Sequence, residues 1–230
     1  MDESGNSKPS LPLIVGAVET DADSDDIERR VQELHRRLSA RQSLVGLRSF
    51  EDFRKQGFHA SNDPLEISGP FLELMNDLSF RAYLVLTDRS TSRAGATELE
   101  QLEFMYETLL GDLLLRHRNR PELVCLVEEN NSLKHLVDQL PPKATRRALA
   151  KLGRNVPLPR LQVVMATKTQ AMSMAIIDYI MLAVSRWISA DRTTDPANRK
   201  YRAFREVEPY ISVLYSLEHG LISSRKMPLH

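Results

Sequence analysis

Three acids stand where carboxylates could do chemistry. Asp178 is the only acid between Met172 and Ile188, an almost unbroken apolar helix in which its neighbours are Ile176, Ile177, Tyr179, Ile180 and Met181. Glu128 closes the apolar run Glu122-Leu123-Val124-Cys125-Leu126-Val127, and Asp2 lies by the first strand. A lone ionised carboxylate buried in an apolar helix costs several kcal/mol, so Asp178 must meet a cation, a hydrogen-bond donor or a metal, unless it falls on the wet side of its helix or pairs with a nearby Arg. Convergent carboxylates are what Mg²⁺ or Mn²⁺ requires, because these hard ions take oxygen ligands and keep waters or substrate phosphates in their remaining positions. Two such ions about 4 Å apart would activate a water and stabilise the leaving oxygen of a phosphodiester. Asp2, Glu128 and Asp178 are therefore candidate metal ligands and catalytic residues, with Glu129 and Asp88 as substitutes for Glu128.

A second constellation is cationic. Lys143, Arg146, Arg147, Lys151, Arg154 and Arg160 follow one another with no acid between Lys143 and Arg160. Such a run could neutralise nucleic-acid phosphates and release counterions. A solvated helix face, balanced by the acids from Glu19 to Glu28, accounts for it equally well. His59, in the loop Gly57 to Pro64, is a further candidate because sites concentrate on loops.

The elements that must position these groups can be read in order. Leu13 to Val18, Phe80 to Leu86, Glu122 to Val127 and Leu161 to Ala166 have strand length and β-branched character. The continuous apolarity of Glu122 to Val127 suggests a strand covered on both faces. Asp25 and Glu28 have capping-box spacing at the start of a helix carrying Ile27, Val31, Leu34 and Leu38, and Thr97 and Glu100 repeat that spacing before a longer one. Residues 43 to 69 read as irregular, anchored by Phe50, Phe53 and Phe58, and Pro70 suits the first turn of a short helix through Leu78. Ser132 to Leu140 reads as a helix stopped by Pro141-Pro142, Lys143 to Leu152 as another closed by Gly153, and Tyr201 to Leu221 as mostly helical. The order predicts an α/β fold: one mixed sheet flanked by helices, a helix and loop insertion after the second strand (24–78), and a C-terminal helical tail (191–230), all in a single domain of residues 1–230.

The chain's 230 residues, 42% of them hydrophobic, can bury a sizeable core. Lys plus Arg equals Asp plus Glu at 31 each, so attraction to nucleic acid must come from local patches. Cys125 stands alone in an apolar run, which suits a packed thiol in a reducing compartment. The N-terminal residues lack the basic start and apolar core of a signal peptide, and Met172 to Ile188 is too short and too interrupted by Asp178 and Arg186 to span a bilayer. The expectation is a soluble cytoplasmic protein without a membrane partner. Zinc-type spacings, Walker loops and Gly-x-Gly-x-x-Gly are absent.

Asp2-Glu3-Ser4-Gly5 resembles the opening of the domain of unknown function 3800 family, whose members begin with a strand ending Ile-Asp-Glu-Ser-Gly. Asp178-Tyr179-Ile180 is similar to that family's late motif, Leu-Gln-Leu-Ala-Asp-Tyr-Ile, with Ala175 where the family has Gln, and Phe58-His59-Ala60 resembles its middle motif. The family is RNase H-like and related to RuvC-type nucleases, in which an Asp of the first strand, a Glu ending the fourth and an Asp of the last helix bind metal. The resemblance thus implies that Asp2, Glu128 and Asp178 hold Mg²⁺ or Mn²⁺ in a nuclease acting on phosphodiesters; in such a protein the cationic run, through Lys143, Arg146, Arg147, Lys151 and Arg154, is the patch that would meet the nucleic acid. The alternative is a non-catalytic RNase H-like module that binds a protein partner in a phage-defence or mobile-element system. On the nuclease reading, Asp178→Asn abolishes cleavage and, by relieving repulsion among acids, raises stability without metal.

Overall fold

In a computed structural model, residues 1–6, 10–20, 24–88, 96–130, 133–153 and 156–229 are described. In chain order their elements are β1 (Asp2–Ser4), β2 (Leu13–Glu19), α1 (Ser24–Ser39), α2 (Arg48–Gln56), α3 (Leu65–Asn76), β3 (Arg81–Thr87), α4 (Glu98–Arg116), β4 (Glu122–Glu128), α5 (Leu140–Leu152), β5 (Arg160–Ala166), α6 (Ala175–Ile188), α7 (Arg199–Val207), β6 (Ile211–Ser216) and β7 (Gly220–Ser224). This is an α/β architecture, a mixed sheet flanked by helices. The chain divides into two compact units. The first contains Met1–Ala17, Tyr83–Ala166 and Ile211–His230, and the second Val18–Ala82 and Thr167–Tyr210.

In the first unit five strands run in the order β1-β2-β3-β6-β7, and β4 pairs parallel with β5 from Glu122↔Arg160 to Glu128↔Ala166. Met1 joins the two ladders. Its amino group donates to the Leu126 carbonyl (2.6 Å), and its carbonyl accepts from the Glu128 N–H (3.0 Å). One residue bonded to the two flanking a third is the parallel pattern, and it sets Met1 opposite Val127. The antiparallel β1–β2 pairing, Asp2↔Gly16 to Ser4↔Ile14, makes the sheet mixed. Gly5 ends β1 at φ +92°, and a β-carbon there would overlap the Pro12 carbonyl oxygen, so the Gly of Asp-Glu-Ser-Gly is required by the return into β2.

Met1, Leu13, Val15, Tyr83 and Val127 share one core with Leu102, Tyr106, Leu109, Leu110 and Leu113 of α4 and with Leu140, Ala144 and Ala148 of α5. The Thr97–Glu100 capping box forms at the start of α4. Pro141 and Pro142 lie inside the first turn of α5 instead of stopping a helix, because an N–H missing there has no partner to lose. Residues 133–139 before it are turns.

Two further expectations are corrected in this unit. The tail is not helical throughout: after Pro209 the segment Ile211-Ser212-Val213-Leu214-Tyr215-Ser216 is strand β6, hairpinned to β7 with Gly220 at φ +74°. The spacing of Phe204, Val207, Ile211 and Leu214 imitates a helical face, and the β-branched and aromatic content past Pro209 prevails. Nor is β4 covered on both faces, since Cys125 and Val127 are buried while Val124 and Leu126 are 54% and 40% exposed. Its apolar run satisfies strand propensity on one face and burial on the other.

The second unit is built on helices. Phe50 and Phe53 of α2 continue through Phe58 and Phe71 to Tyr179, each ring in contact with the next. The segment read as irregular therefore contains α2, whose Phe50 and Phe53 sit one helical turn apart, and the inserted region holds three helices where the sequence suggested two joined by a loop. Pro70 lies within α3, not in its first turn. Proline leaves the carbonyl four residues earlier without its helical donor, and here the Arg41 guanidinium donates to that Glu66 carbonyl (3.2 Å). Helix α1 already begins at Ser24, and Glu28 accepts from the Met172 and Ser173 N–H groups (2.9 Å each) in place of a box with Asp25. That carboxylate satisfies orphan donors of the turn leading into α6.

Candidate functional site

The first unit brings two of the sequence-derived acids together. With Met1 opposite Val127, the next residues along, Asp2 and Glu128, are neighbours across parallel strands and share a face of the sheet. Adjacent strands are about 4.8 Å apart, so the two side chains rise from neighbouring positions. Met1 and Val127 point the other way, into the core against α4. Asp2 is buried and accepts the Glu3 N–H (2.8 Å), and Glu128 is half-buried at the end of β4.

Glu3 braces this arrangement. Its carboxylate accepts from the Tyr106 hydroxyl of α4 (2.6 Å), from the Asn6 amide (3.2 Å) and from the Asn130 amide two residues past Glu128. Burial raises the Glu3 pKa above the ordinary carboxylate value and the charge of Glu128 adds to this, against the three hydrogen bonds that favour the ion. Burial, with the Glu3 charge beside it, pushes the Tyr106 phenol well up. Sequence reasoning missed Glu3 and Tyr106 as partners, although Glu3 lies inside the recognised motif. The substitutes for Glu128 are engaged elsewhere: Glu129 pairs with Lys134 (2.9 Å) and Asp88 meets His219 (3.1 Å).

Two carboxylates from adjacent strands suit a hard divalent ion, which binds one or two carboxylates and fills its shell with waters and substrate phosphates. Asp2 and Glu128 fit that description as a pair. Among the described residues, no group of three or more His, Cys, Asp or Glu is placed to hold a metal.

Asp178 belongs to the second unit, on the first turn of α6. Its Oδ2 accepts from the Lys168 ammonium (3.0 Å) and the Ala60 N–H (3.0 Å), and His59 Nδ1 lies 3.5 Å away. The cation anticipated for this acid is thus a lysine ten positions earlier, in the turn after β5, and neither a neighbouring Arg nor the wet side of the helix accounts for it. Asp63 Oδ2 accepts from the His59 N–H (2.8 Å) and the Tyr179 hydroxyl (2.7 Å). Burial raises the pKa of Asp63, those two hydrogen bonds opposing it, and burial drives the Tyr179 phenol upward. The segments Phe58-His59-Ala60 and Asp178-Tyr179, 118 residues apart, therefore meet. Ser61 Oγ approaches the same His59 nitrogen as Asp178 does (3.2 Å), so the ring cannot relay a proton between them as a Ser-His-Asp triad would. Lys168 gave no signal of its own in the sequence, being one polar residue of Thr-Lys-Thr-Gln.

The cationic run spreads its charges unevenly. Lys143 pairs with Glu103, Lys151 with Asp112, and the Arg147 guanidinium lies over the Phe104 ring at 4.8 Å, all three tying α5 to α4. Arg146 and Arg160 are exposed, and Arg154 lies outside the described residues. The Cys125 thiol is buried and its pKa pushed up to about 11 by that burial, which suits packing and not nucleophilic attack. Among the described residues no helix is long and apolar enough to cross a membrane. No protein-family model, curated protein or solved structure matches the chain.

Proposed function

We propose that the chain is an RNase H-like nuclease that hydrolyses nucleic-acid phosphodiesters with Mg²⁺ or Mn²⁺ held by Asp2 and Glu128. The observation that carries the reading is the parallel join at Met1, from which these two carboxylates emerge as same-face neighbours. The resemblance asks for this relation between a first-strand Asp and a Glu ending the fourth strand, and Glu128 ends the fourth strand in chain order. When bound, the metal supplies Lewis-acid polarisation of a phosphate oxygen and a water of lowered pKa. The protein's part is to hold the pair in place: the Glu3 N–H orients Asp2, and the Glu3 carboxylate links β1 to α4 through Tyr106 and to the end of β4 through Asn130. Exposed Arg146 and Arg160 would meet phosphates, whereas Lys143, Arg147 and Lys151 serve first as links between helices.

A second reading, a non-catalytic RNase H-like module that binds a protein partner, is favoured by one observation: Asp178, the third acid of the resemblance, already carries an internal cation. A panel of single- and double-stranded DNA and RNA substrates, incubated with Mg²⁺ or Mn²⁺ and with wild type, Asp2→Asn and Glu128→Gln, separates the two. Metal-dependent cleavage lost in both variants supports the nuclease. A folded wild type that cleaves nothing supports the interaction module.

A further inference from the structure

The resemblance gives Asp178 a metal, but its Oδ2 already meets a lysine ammonium and a backbone N–H. We infer that Lys168 supplies at Asp178 the positive charge a divalent ion would bring, making Asp178 the internal counter-ion that anchors the loop from Gly57 to Pro64, and not a metal ligand. The ammonium lies 3.0 Å from Oδ2, with the Lys168 and Asp178 side chains only 10% and 14% exposed, so solvent and salt screen the pair little. The same oxygen takes the Ala60 N–H at 3.0 Å, which fills its two principal lone-pair directions before the His59 ring at 3.5 Å is counted. A metal arriving at Oδ2 would have to displace the ammonium and break this largely buried ion pair, a loss far costlier than that of an exposed one.

The nearby carboxylate is engaged within the same loop. Asp63 spends Oδ2 on the Tyr179 hydroxyl and the His59 N–H. What the pair does instead is structural: Asp178 on α6, Lys168 in the turn after β5 and Ala60 in the loop are drawn to one oxygen, while Asp63 closes the loop back on His59 and on Tyr179. Gly57 opens that loop at φ +85°, a conformation other residues adopt only under strain. The inference stands apart from the reading of Asp2 and Glu128, and either can fail without the other.

Two measurements test it. Asp178→Asn, Lys168→Met and the double variant are compared by urea unfolding, with hydrogen exchange at the Ala60 amide as the local readout. Each single variant is expected to lower the midpoint and speed Ala60 exchange, and the double variant to lose less than the sum of the two, because the one Asp178–Lys168 interaction is lost in either single variant. An Asp178→Asn protein as stable as wild type or more so, or strictly additive losses, overturns the assignment. Should the single variants fail to fold, wild type alone decides: the Lys168 side-chain ammonium signal in NMR, followed through a Mg²⁺ titration, is expected to stay in place, and a signal that shifts as Mg²⁺ displaces it refutes the inference.

Discussion

Tyr106 on α4 donates its hydroxyl to Glu3 on β1 at 2.6 Å, with the phenol fully buried. That bond crosses from the helical layer to the strand carrying Asp2, and with Asn130 it fixes β1 beside the end of β4. Hydrogen bonds to a charged group contribute about 1.5–3 kcal/mol, and removing one side of a buried pair exposes the desolvation cost of the other. Tyr106→Phe is accordingly expected to lower stability by about 2 kcal/mol in urea unfolding. It should also weaken Mn²⁺ binding measured by electron paramagnetic resonance, by loosening the strand that carries Asp2. Unchanged stability would mean that the Glu3 network does not brace the strand.

The raised pKa of Glu3 has a definite sign in stability. A carboxylate whose folded pKa exceeds its unfolded one, about 4.3 for Glu, binds more protons in the native state. Its contribution is complete below the unfolded value and is lost as pH rises through the folded one. The difference in melting temperature between Glu3→Gln and wild type should therefore shift in the variant's favour as pH rises from about 4 to 7. A difference independent of pH would contradict the burial assigned to this carboxylate.

Gly5→Ala is expected to cost about 1 kcal/mol or more, since φ +92° disfavours any side chain and the added methyl meets the Pro12 carbonyl. Thermal unfolding reads it directly. A neutral substitution would show that the turn between β1 and β2 relaxes freely.

Cys125, with its thiol pushed to about 11, should resist alkylation in the native protein at pH 8 and react readily once urea unfolds the chain. Rapid native labelling would place the thiol outside the core.

Much of the sheet was legible in the chain alone, for reasons visible in particular residues. Leu13 to Val18, Glu122 to Val127 and Leu161 to Ala166 announce strands through β-branched runs, and the structure extends each by a residue or less. Strand β6 was not legible because Ile211 and Leu214 fall at helical spacing, and α2 was hidden by a polar sequence whose two phenylalanines alone make its apolar face. For the site, the end of an apolar strand marked Glu128, and the motif marked Asp2. Their adjacency depends on the Met1 bonds to Leu126 and Glu128, a pairing between residues more than a hundred positions apart that no local pattern encodes. The same holds for Asp178: the need for a partner could be argued from burial, but Lys168 is identified only by where the turn after β5 places it.

The central claim, a metal-dependent nuclease built on Asp2 and Glu128, is tested most directly by one comparison: cleavage of the nucleic-acid panel by wild type and by Glu128→Gln, each shown by circular dichroism to be folded, with and without Mn²⁺. The account predicts cleavage by wild type only when the metal is present and none by Glu128→Gln. Equal cleavage by the two proteins, or none by folded wild type on any substrate, would contradict it.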